Sequence, residues 1–240
     1  MKYVIVHYNT PELTIALLCS LLKNGITENI VVFENSDKRP LNATDMFDYE
    51  LIDNSKGQIL DFNSIINELN KTNNLSQEKI KIELGASNYG TIKHSMSIQW
   101  LIENLNTDFV LLDSDILIKK DFRNLIDNRK LFVGMTTVYR VLPFLLYINA
   151  PLLNGNNIKF CDRKNIFPYK NEADGDTGGS FYKECKNSKL DFTELNLNDY
   201  FVHYGSGSWR LPTHPKNWFQ GNFINISPMK FLELNQSLFM

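Results

Sequence analysis

The stretch Thr107-Asp-Phe-Val-Leu-Leu-Asp-Ser-Asp-Ile-Leu-Ile118 constrains this chain more than any other. In it, an apolar run of strand length ends in two carboxylates one residue apart. A run this short and this rich in Val, Leu and Phe reads as an interior strand of a mostly parallel sheet. Aspartate is a poor strand former, so Asp113 and Asp115 gather charge where the backbone leaves the sheet. In open α/β sheets that carboxyl edge is where ligands bind. Two hard oxygen donors there suit Mg2+ or Mn2+, ions usually shared between carboxylates and substrate phosphates. The bland alternative is a strand-to-turn junction whose aspartates accept local backbone amides. A bare Asp-X-Asp does not separate the two, so the surrounding sequence has to.

Upstream, the chain alternates strand and helix. Tyr3 to Val6 reads as a strand, and Thr10-Pro11-Glu12 opens a helix with proline at its first position. Leu13, Leu17, Leu18, Leu21 and Leu22 give that helix an apolar stripe, and Gly25 ends it. Ile30 to Phe33 is a second strand, which makes a βαβ unit with a right-handed crossover. A short third strand is expected near Tyr49–Ile52, a helix over Asp61–Asn70, and a strand over Lys79–Leu84. Gly85-Ala-Ser-Asn-Tyr-Gly90 reads as a loop, followed by a helix from about Ile92 to Leu105 that feeds the central strand. The expected fold class is therefore α/β, a Rossmann-like central sheet flanked by helices.

The second half has a different texture. Leu131–Tyr139 and Phe144–Ile148 read as antiparallel additions to the sheet, and Asn154–Asn157 as a loop. Asp174-Gly-Asp-Thr-Gly-Gly179 is a polar turn before a short helix carrying Phe181, Tyr182 and Cys185. A short strand ends at His203, a Gly/Ser loop follows, and Ser227-Pro228 starts a C-terminal amphipathic helix.

Composition excludes some classes of function. Hydrophobic residues make up 43% of the 240 and charged residues 22%, as in an ordinary globular protein. A net charge of −2 supplies no basic field for nucleic acid, so no nucleic-acid partner is expected. Three widely spaced cysteines form neither a zinc spacing nor a disulfide framework, which points to a reducing compartment. No apolar stretch has signal-peptide or membrane-spanning character, so the expected location is cytoplasmic. The apolar C-terminal residues could rest on the inner face of a membrane, although core or dimer packing explains them as well. Oligomeric state is open.

Chemistry-bearing residues collect at the expected strand ends. His7-Tyr8-Asn9 follows the first strand and Glu34-Asn35-Ser36 the second, on the same edge as Asp113 and Asp115. An aromatic face, an acidic acceptor and paired carboxylates together match what a nucleoside diphosphate needs. Taken singly, Tyr8 could be a core aromatic and Glu34 a solvated turn residue. His94 sits on the helix entering the central strand, where a histidine can be structural or ligand-bearing. His203 ends a strand before a loop able to approach a phosphate, and imidazole is a common ligand for a divalent ion. Asp174 and Asp176 precede a helix, where Asp caps well, yet this turn also offers a carboxylate base for activating a hydroxyl. Trp209, His214 and Trp218 could stack on a sugar ring or pack.

With these residues in place, the chain resembles nucleotide-sugar glycosyltransferases of the GT-A fold, family 2-like members in particular. Val4-Ile-Val-His-Tyr-Asn9 looks like the opening strand and loop that flank the base. Val31-Val-Phe-Glu-Asn-Ser36 is similar to the second-strand signature, with Glu34 where an Asp is usual. Asn88-Tyr-Gly90, then His94, then Phe109-Val-Leu-Leu-Asp-Ser-Asp-Ile116 resembles the helix and metal-binding DXD region. The match covers residues 1–120; beyond it, only Asp176–Gly179 and His203–Ser208 are similar, and the usual Glu-Asp base motif is not visible.

The resemblance implies one domain over 1–240, with a nucleotide-binding half (1–120) and an acceptor-binding half (121–240). It implies Asp115 as direct metal ligand, with Asp113 and Ser114 facing the ribose or the metal's water shell, and His203 as a late metal ligand. His7, Tyr8, Asn9, Glu34, Asn35, Asn88, Gly90 and His94 would line the donor site, and Asp176 or Asp174 would be the base. The implied partners are a nucleotide-diphosphate sugar, foremost a UDP-sugar, and a glycan or lipid-linked acceptor. Two alternatives stand beside it. One is a phosphohydrolase with Asp113 as nucleophile, although its motif belongs on a first strand rather than after a long β/α run. The other is a non-catalytic module that keeps the fold without turnover.

Overall fold

The structure is a computed structural model that describes residues 1–42, 47–72, 85–161, 177–205 and 227–240. The first strand, β1, spans Lys2–His7, and helix α1 spans Pro11–Lys23. Strands β2 (Ile30–Glu34) and β3 (Tyr49–Asp53) follow, then helices α2 (Phe62–Thr72) and α3 (Gly85–Asn104). Next come β4 (Phe109–Asp113), β5 (Ile116–Ile118), β6 (Phe132–Thr136) and β7 (Val141–Ile148). Helices α4 (Ala150–Gly155) and α5 (Gly179–Ser188), strands β8 (Thr193–Glu194) and β9 (Phe201–His203), and helix α6 (Pro228–Leu234) complete the described chain.

Seven strands form one sheet in the order β3-β2-β1-β4-β7-β6-β8. Strands β3, β2, β1 and β4 are mutually parallel, whereas β7 runs antiparallel to both β4 and β6. The expected mixed α/β class, with antiparallel additions from the second half, is what the chain adopts. Alternation of side chains splits the core between the two faces of the sheet. Val4, Val6, Val31, Phe33, Phe109 and Leu111 pack on one face with Phe62, Ile98, Leu101 and Ile102 from α2 and α3. Tyr3, Ile5, Ile30, Val32, Val110 and Leu112 pack on the other with Leu17, Leu18 and Leu21 of α1. Both faces are covered, which is why these strands read as unbroken apolar runs rather than alternating ones.

The central stretch is not one strand. β4 ends at Asp113, Ser114-Asp115 make a turn, and β5 leaves the main sheet to pair antiparallel with β9 in a sheet of two strands. A smaller core supports that excursion: Leu117 and Tyr204 meet Leu13 and Ala16 of α1 and Phe231 and Leu232 of α6. The Ser227 hydroxyl caps α6 by accepting from the Lys230 amide.

Two expected loops are helical instead. Gly85–Gly90 belongs to α3. Glycine costs a helix only about 1 kcal/mol relative to alanine, which an already nucleated, packed helix can absorb as it propagates. Asn154-Gly155 is the last turn of α4, a helix begun by Asn149, whose side chain accepts from the Leu152 amide, with Pro151 in the first turn. Asn156 and Asn157 end it, the latter at φ 54. The strand expected over Lys79–Leu84 lies outside the described residues. No helix among the described residues is long and apolar enough to cross a membrane.

Gly178 precedes α5 at φ 86, and a Cβ there would run into the Val141 carbonyl oxygen. Replacing it with alanine adds a left-handed-backbone penalty to a backbone clash, so Gly178→Ala should cost about 2–4 kcal/mol in urea unfolding. Gly155 has open space around its Cβ position. Gly155→Ala should therefore be neutral or gain up to about 1 kcal/mol in the same measurement.

Candidate functional site

Register alone brings the candidate residues to one edge. Val6 pairs with Asp113, and His7 with Glu34, so the carboxyl ends of β1, β2 and β4 lie side by side. Asp115 is one turn beyond, and β9 returns to place His203 opposite Ile116. The Tyr204 amide donates to the Asp115 carbonyl oxygen at 2.9 Å, fixing the backbone of the turn. The His203 Nε2 lies 3.0 Å from Asp115 Oδ1 across 88 residues of sequence. On its other side the His203 ring packs on Phe144 of β7, with centroids 4.0 Å apart.

Asp113, Asp115 and His203 each offer one ligand atom, and all three atoms lie within 4.8 Å of one another. Ligands about 2.0–2.2 Å from one ion are separated by about 3 Å when cis and somewhat over 4 Å when trans. The set could therefore hold a single divalent cation once its ligand atoms draw together around it. Electrostatics agree. Burial first, then the neighbouring Asp115, push the Asp113 carboxyl up to about 7, against opposing pulls from His203 and the Ser114 amide. Two crowded carboxylates of this kind ionise together only when positive charge joins them. His94 is a second imbalance in the same place. Its Nε2 is buried without a hydrogen-bond partner among the described residues. Burial holds the ring at about 4, opposed by the Asp115 charge, so the imidazole is neutral.

The ends of β1 and β2 divide into a buried frame and an outer rim. His7 is fully buried, its Nδ1 2.8 Å from the Thr14 hydroxyl and its Nε2 3.3 Å from the Arg39 carbonyl. Burial lowers its pKa, with Glu34 opposing. Both oxygens of Glu34 are engaged inward, accepting from the Ser36 and Leu41 amides at 2.7 and 2.6 Å. Asn35 donates to Ser97 and accepts from Asn54. These three residues hold the loop. Outside them, the side chain of Asn9, a residue at φ 57, donates from Nδ2 to Asp37 and accepts at Oδ1 from the Lys38 and Arg39 amides. The Tyr8 hydroxyl reaches Asp37 at 3.4 Å, and the Lys93 ammonium sits 4.7 Å above the Tyr8 ring. Burial raises the Asp37 carboxyl, but the Asn9 amide and Lys93 outweigh it and hold the group below its ordinary range.

Three residues here are not among the candidate site residues read from the sequence: Asp37, Lys93 and Thr10. The hydroxyl of Thr10 is 3.2 Å from that of Ser114, tying the start of α1 to the aspartate turn. Thr10 occupies the expected cap position of α1 without making a side-chain cap bond. Lys93 adjoins His94 in sequence, and its pairing with Tyr8 depends on the packing of α3 against β1. Asn88 and Gly90 lie on the helical backbone of α3. Asp174, Asp176, Trp209, His214 and Trp218 lie outside the described residues.

No protein-family model and no curated protein matches the sequence. Solved structures do resemble its shape. The apo bifunctional glycosyltransferase WbbM matches over 98% of this chain and 44% of its own, with TM-score 0.45 and 11% identity. The glycosyltransferase GlyE of Streptococcus pneumoniae TIGR4 matches over 82% of this chain and 46% of its own, with TM-score 0.41 and 13% identity. The galactosyltransferase LgtC, solved with donor and acceptor sugar analogs, matches over 82% and 74%, with TM-score 0.38 and 10% identity. This chain spans less than half the length of the first two. Likeness of this grade carries no functional inference; the strand-end geometry has to.

The raised Asp113 pKa has a definite sign. The folded state holds that proton more tightly than the unfolded chain, so the stabilising contribution is present below the ordinary carboxylate range and lost as pH rises through about 7. Cation binding must expel the same proton. Between about pH 5 and about pH 8, thermal melts of the metal-free protein should fall more steeply than those of Asp113→Asn. Mn2+ affinity of the unaltered protein should rise over the same interval.

Proposed function

We propose that this chain is a metal-dependent GT-A-type glycosyltransferase, moving a sugar from a nucleotide-diphosphate sugar to a hydroxyl of a glycan or lipid-linked acceptor. The observation that carries the reading is the Asp113–Asp115–His203 set at the carboxyl edge of a mostly parallel sheet, beside the Tyr8–Asp37–Lys93 rim. Asp115 and His203 would hold Mg2+ or Mn2+ with Asp113, and Ser114 would face the same ligand. A divalent cation supplies positive charge against the departing nucleotide diphosphate.

The base of the donor, uracil in the favoured UDP-sugar case, would lie against Tyr8 and Asn9. Asp37 offers an acceptor for its N–H, and Lys93 offers positive charge for its carbonyls or the diphosphate. His7, Glu34 and Asn35 would serve that rim from behind, by holding the loop in shape. Asn88 and Gly90 would complete the donor side from α3. If the reaction inverts the anomeric centre, Asp176 or Asp174 would take the acceptor hydroxyl's proton. We place the protein in the cytoplasm, with contact to the inner face of a membrane where the acceptor is lipid-linked.

A phosphohydrolase would need Asp113 ionised as its nucleophile, and burial beside Asp115 presses the other way. A panel of nucleotide sugars with Mn2+ separates the readings. Transfer predicts slow release of nucleotide diphosphate, abolished by chelation and lowered by at least about 100-fold in Asp115→Asn. Free phosphate from simple monoesters would favour the hydrolase, and no turnover with retained binding the non-catalytic module. Asp176→Asn should lower turnover while leaving donor affinity unaltered; undiminished turnover removes Asp176 from the mechanism.

A further inference from the structure

His94 is the residue of this site that the reading above leaves without a physical reason. It lies on α3, close enough to Asp115 for that carboxylate's charge to act on the ring. Its Nε2 is shut off from solvent and has no hydrogen-bond partner among the described residues. A buried imidazole nitrogen in that condition gives up its hydration with nothing in return. A leucine or phenylalanine would fill the same space without that loss. Two nearby polar side chains of α3 are engaged elsewhere: the Ser97 hydroxyl donates to the Lys93 carbonyl and accepts from Asn35, and Lys93 stands over Tyr8. The orphaned nitrogen is thus available to a donor that arrives with a ligand.

We propose that His94 Nε2 accepts a hydrogen bond from a water in the coordination shell of the divalent cation held by Asp113, Asp115 and His203. This rests on the metal-dependent reading and adds a positioning residue to it. The three protein atoms do not complete the shell of Mg2+ or Mn2+, ions that keep several waters. A cation-bound water is a stronger donor than bulk water, and a neutral imidazole protonated on Nδ1 presents a bare lone pair to receive it. His203 already brackets Asp115 on one side through Oδ1. With His94 beside the same carboxylate, its nitrogen would hold the cation-bound water from outside the ligand set, the arrangement by which outer partners orient metal ligands.

The test uses the intact chain and Mn2+ alone, followed by calorimetric titration or by the loss of the free-ion paramagnetic resonance signal. Outer partners of this kind alter metal affinity by about 10–100-fold, so His94→Leu and His94→Phe should weaken Mn2+ binding by that range. The same variants should melt no lower than the unaltered protein without metal, because an unsatisfied buried nitrogen has been removed. His94→Gln, which keeps an acceptor, should recover part of the affinity. A lower melting temperature with Mn2+ affinity within about twofold of normal would make His94 a packing residue and overturn the proposal. Unchanged Mn2+ affinity with weakened UDP-sugar binding would also overturn it, by assigning the nitrogen to a sugar hydroxyl. Failure of the unaltered protein to bind Mn2+ removes the metal reading itself, a result distinguishable from either of the others.

Discussion

The antiparallel pairing of Ile116–Ile118 with Phe201–His203 is the constraint on which the candidate site depends. Asp113 and Asp115 are placed by local sequence, since any chain with this strand and turn would carry them to the sheet edge. The histidine is different. It comes from 88 residues downstream and meets Asp115 only because β5 leaves the main sheet and accepts β9 as its partner. A one-residue slip in that pairing would turn His203 to the opposite face and leave two carboxylates facing one another unopposed. The small core of Leu13, Ala16, Leu117, Tyr204, Phe231 and Leu232 resists such a slip by anchoring both strands against α1 and α6. The C-terminal helix, far from the site in sequence, thus bears on its geometry.

Electrostatic tension is the counterpart of that geometry. The site gathers two carboxylates of the Asp113–Asp115 turn and the imidazoles of His94 and His203, and the hydrogen bonds among the described residues leave His94 Nε2 unsatisfied. Asp113 clings to its proton and His94 shuns one, and each for the same leading cause, loss of water around the charged form. Strongly perturbed titratable groups cluster at functional sites. A divalent cation would relieve both tensions at once, by discharging the carboxylates and by bringing water for the imidazole.

Much of the architecture could be read from the chain because each β/α element carried its own signal. Continuous apolar runs marked β1, β2 and β4, the Thr10-Pro11 start marked α1, and Ser227-Pro228 marked α6. The juxtaposition of Asp113, Asp115 and His203 was legible for the same reason, since Asp113 and His203 end strands and Asp115 lies in the turn directly after the first. What escaped was decided by folding rather than by pattern. Glu34 has the composition of a ligand acceptor, but the Ser36–Leu41 loop wraps its amides around the carboxylate and turns it inward. Asp37, only three residues on, takes the outer position that the sequence suggested for Glu34. Lys93 meets Tyr8 through packing of α3 on β1, a contact with no sequence period. Gly85–Gly90 looked like a loop because glycine is a poor helix former, a preference that a packed helix overrides.

The proposed function stands on one cation among Asp113, Asp115 and His203, against a nucleotide diphosphate. Anomalous scattering from a crystal grown with Mn2+ and UDP puts that cation to the test. One strong manganese peak is expected at coordination distance, about 2.0–2.2 Å, from an Asp115 oxygen and His203 Nε2, with pyrophosphate density adjoining it. Nucleotide bound at this edge with no manganese beside it, or manganese seated elsewhere on the protein, would rule out a cation shared by these three residues.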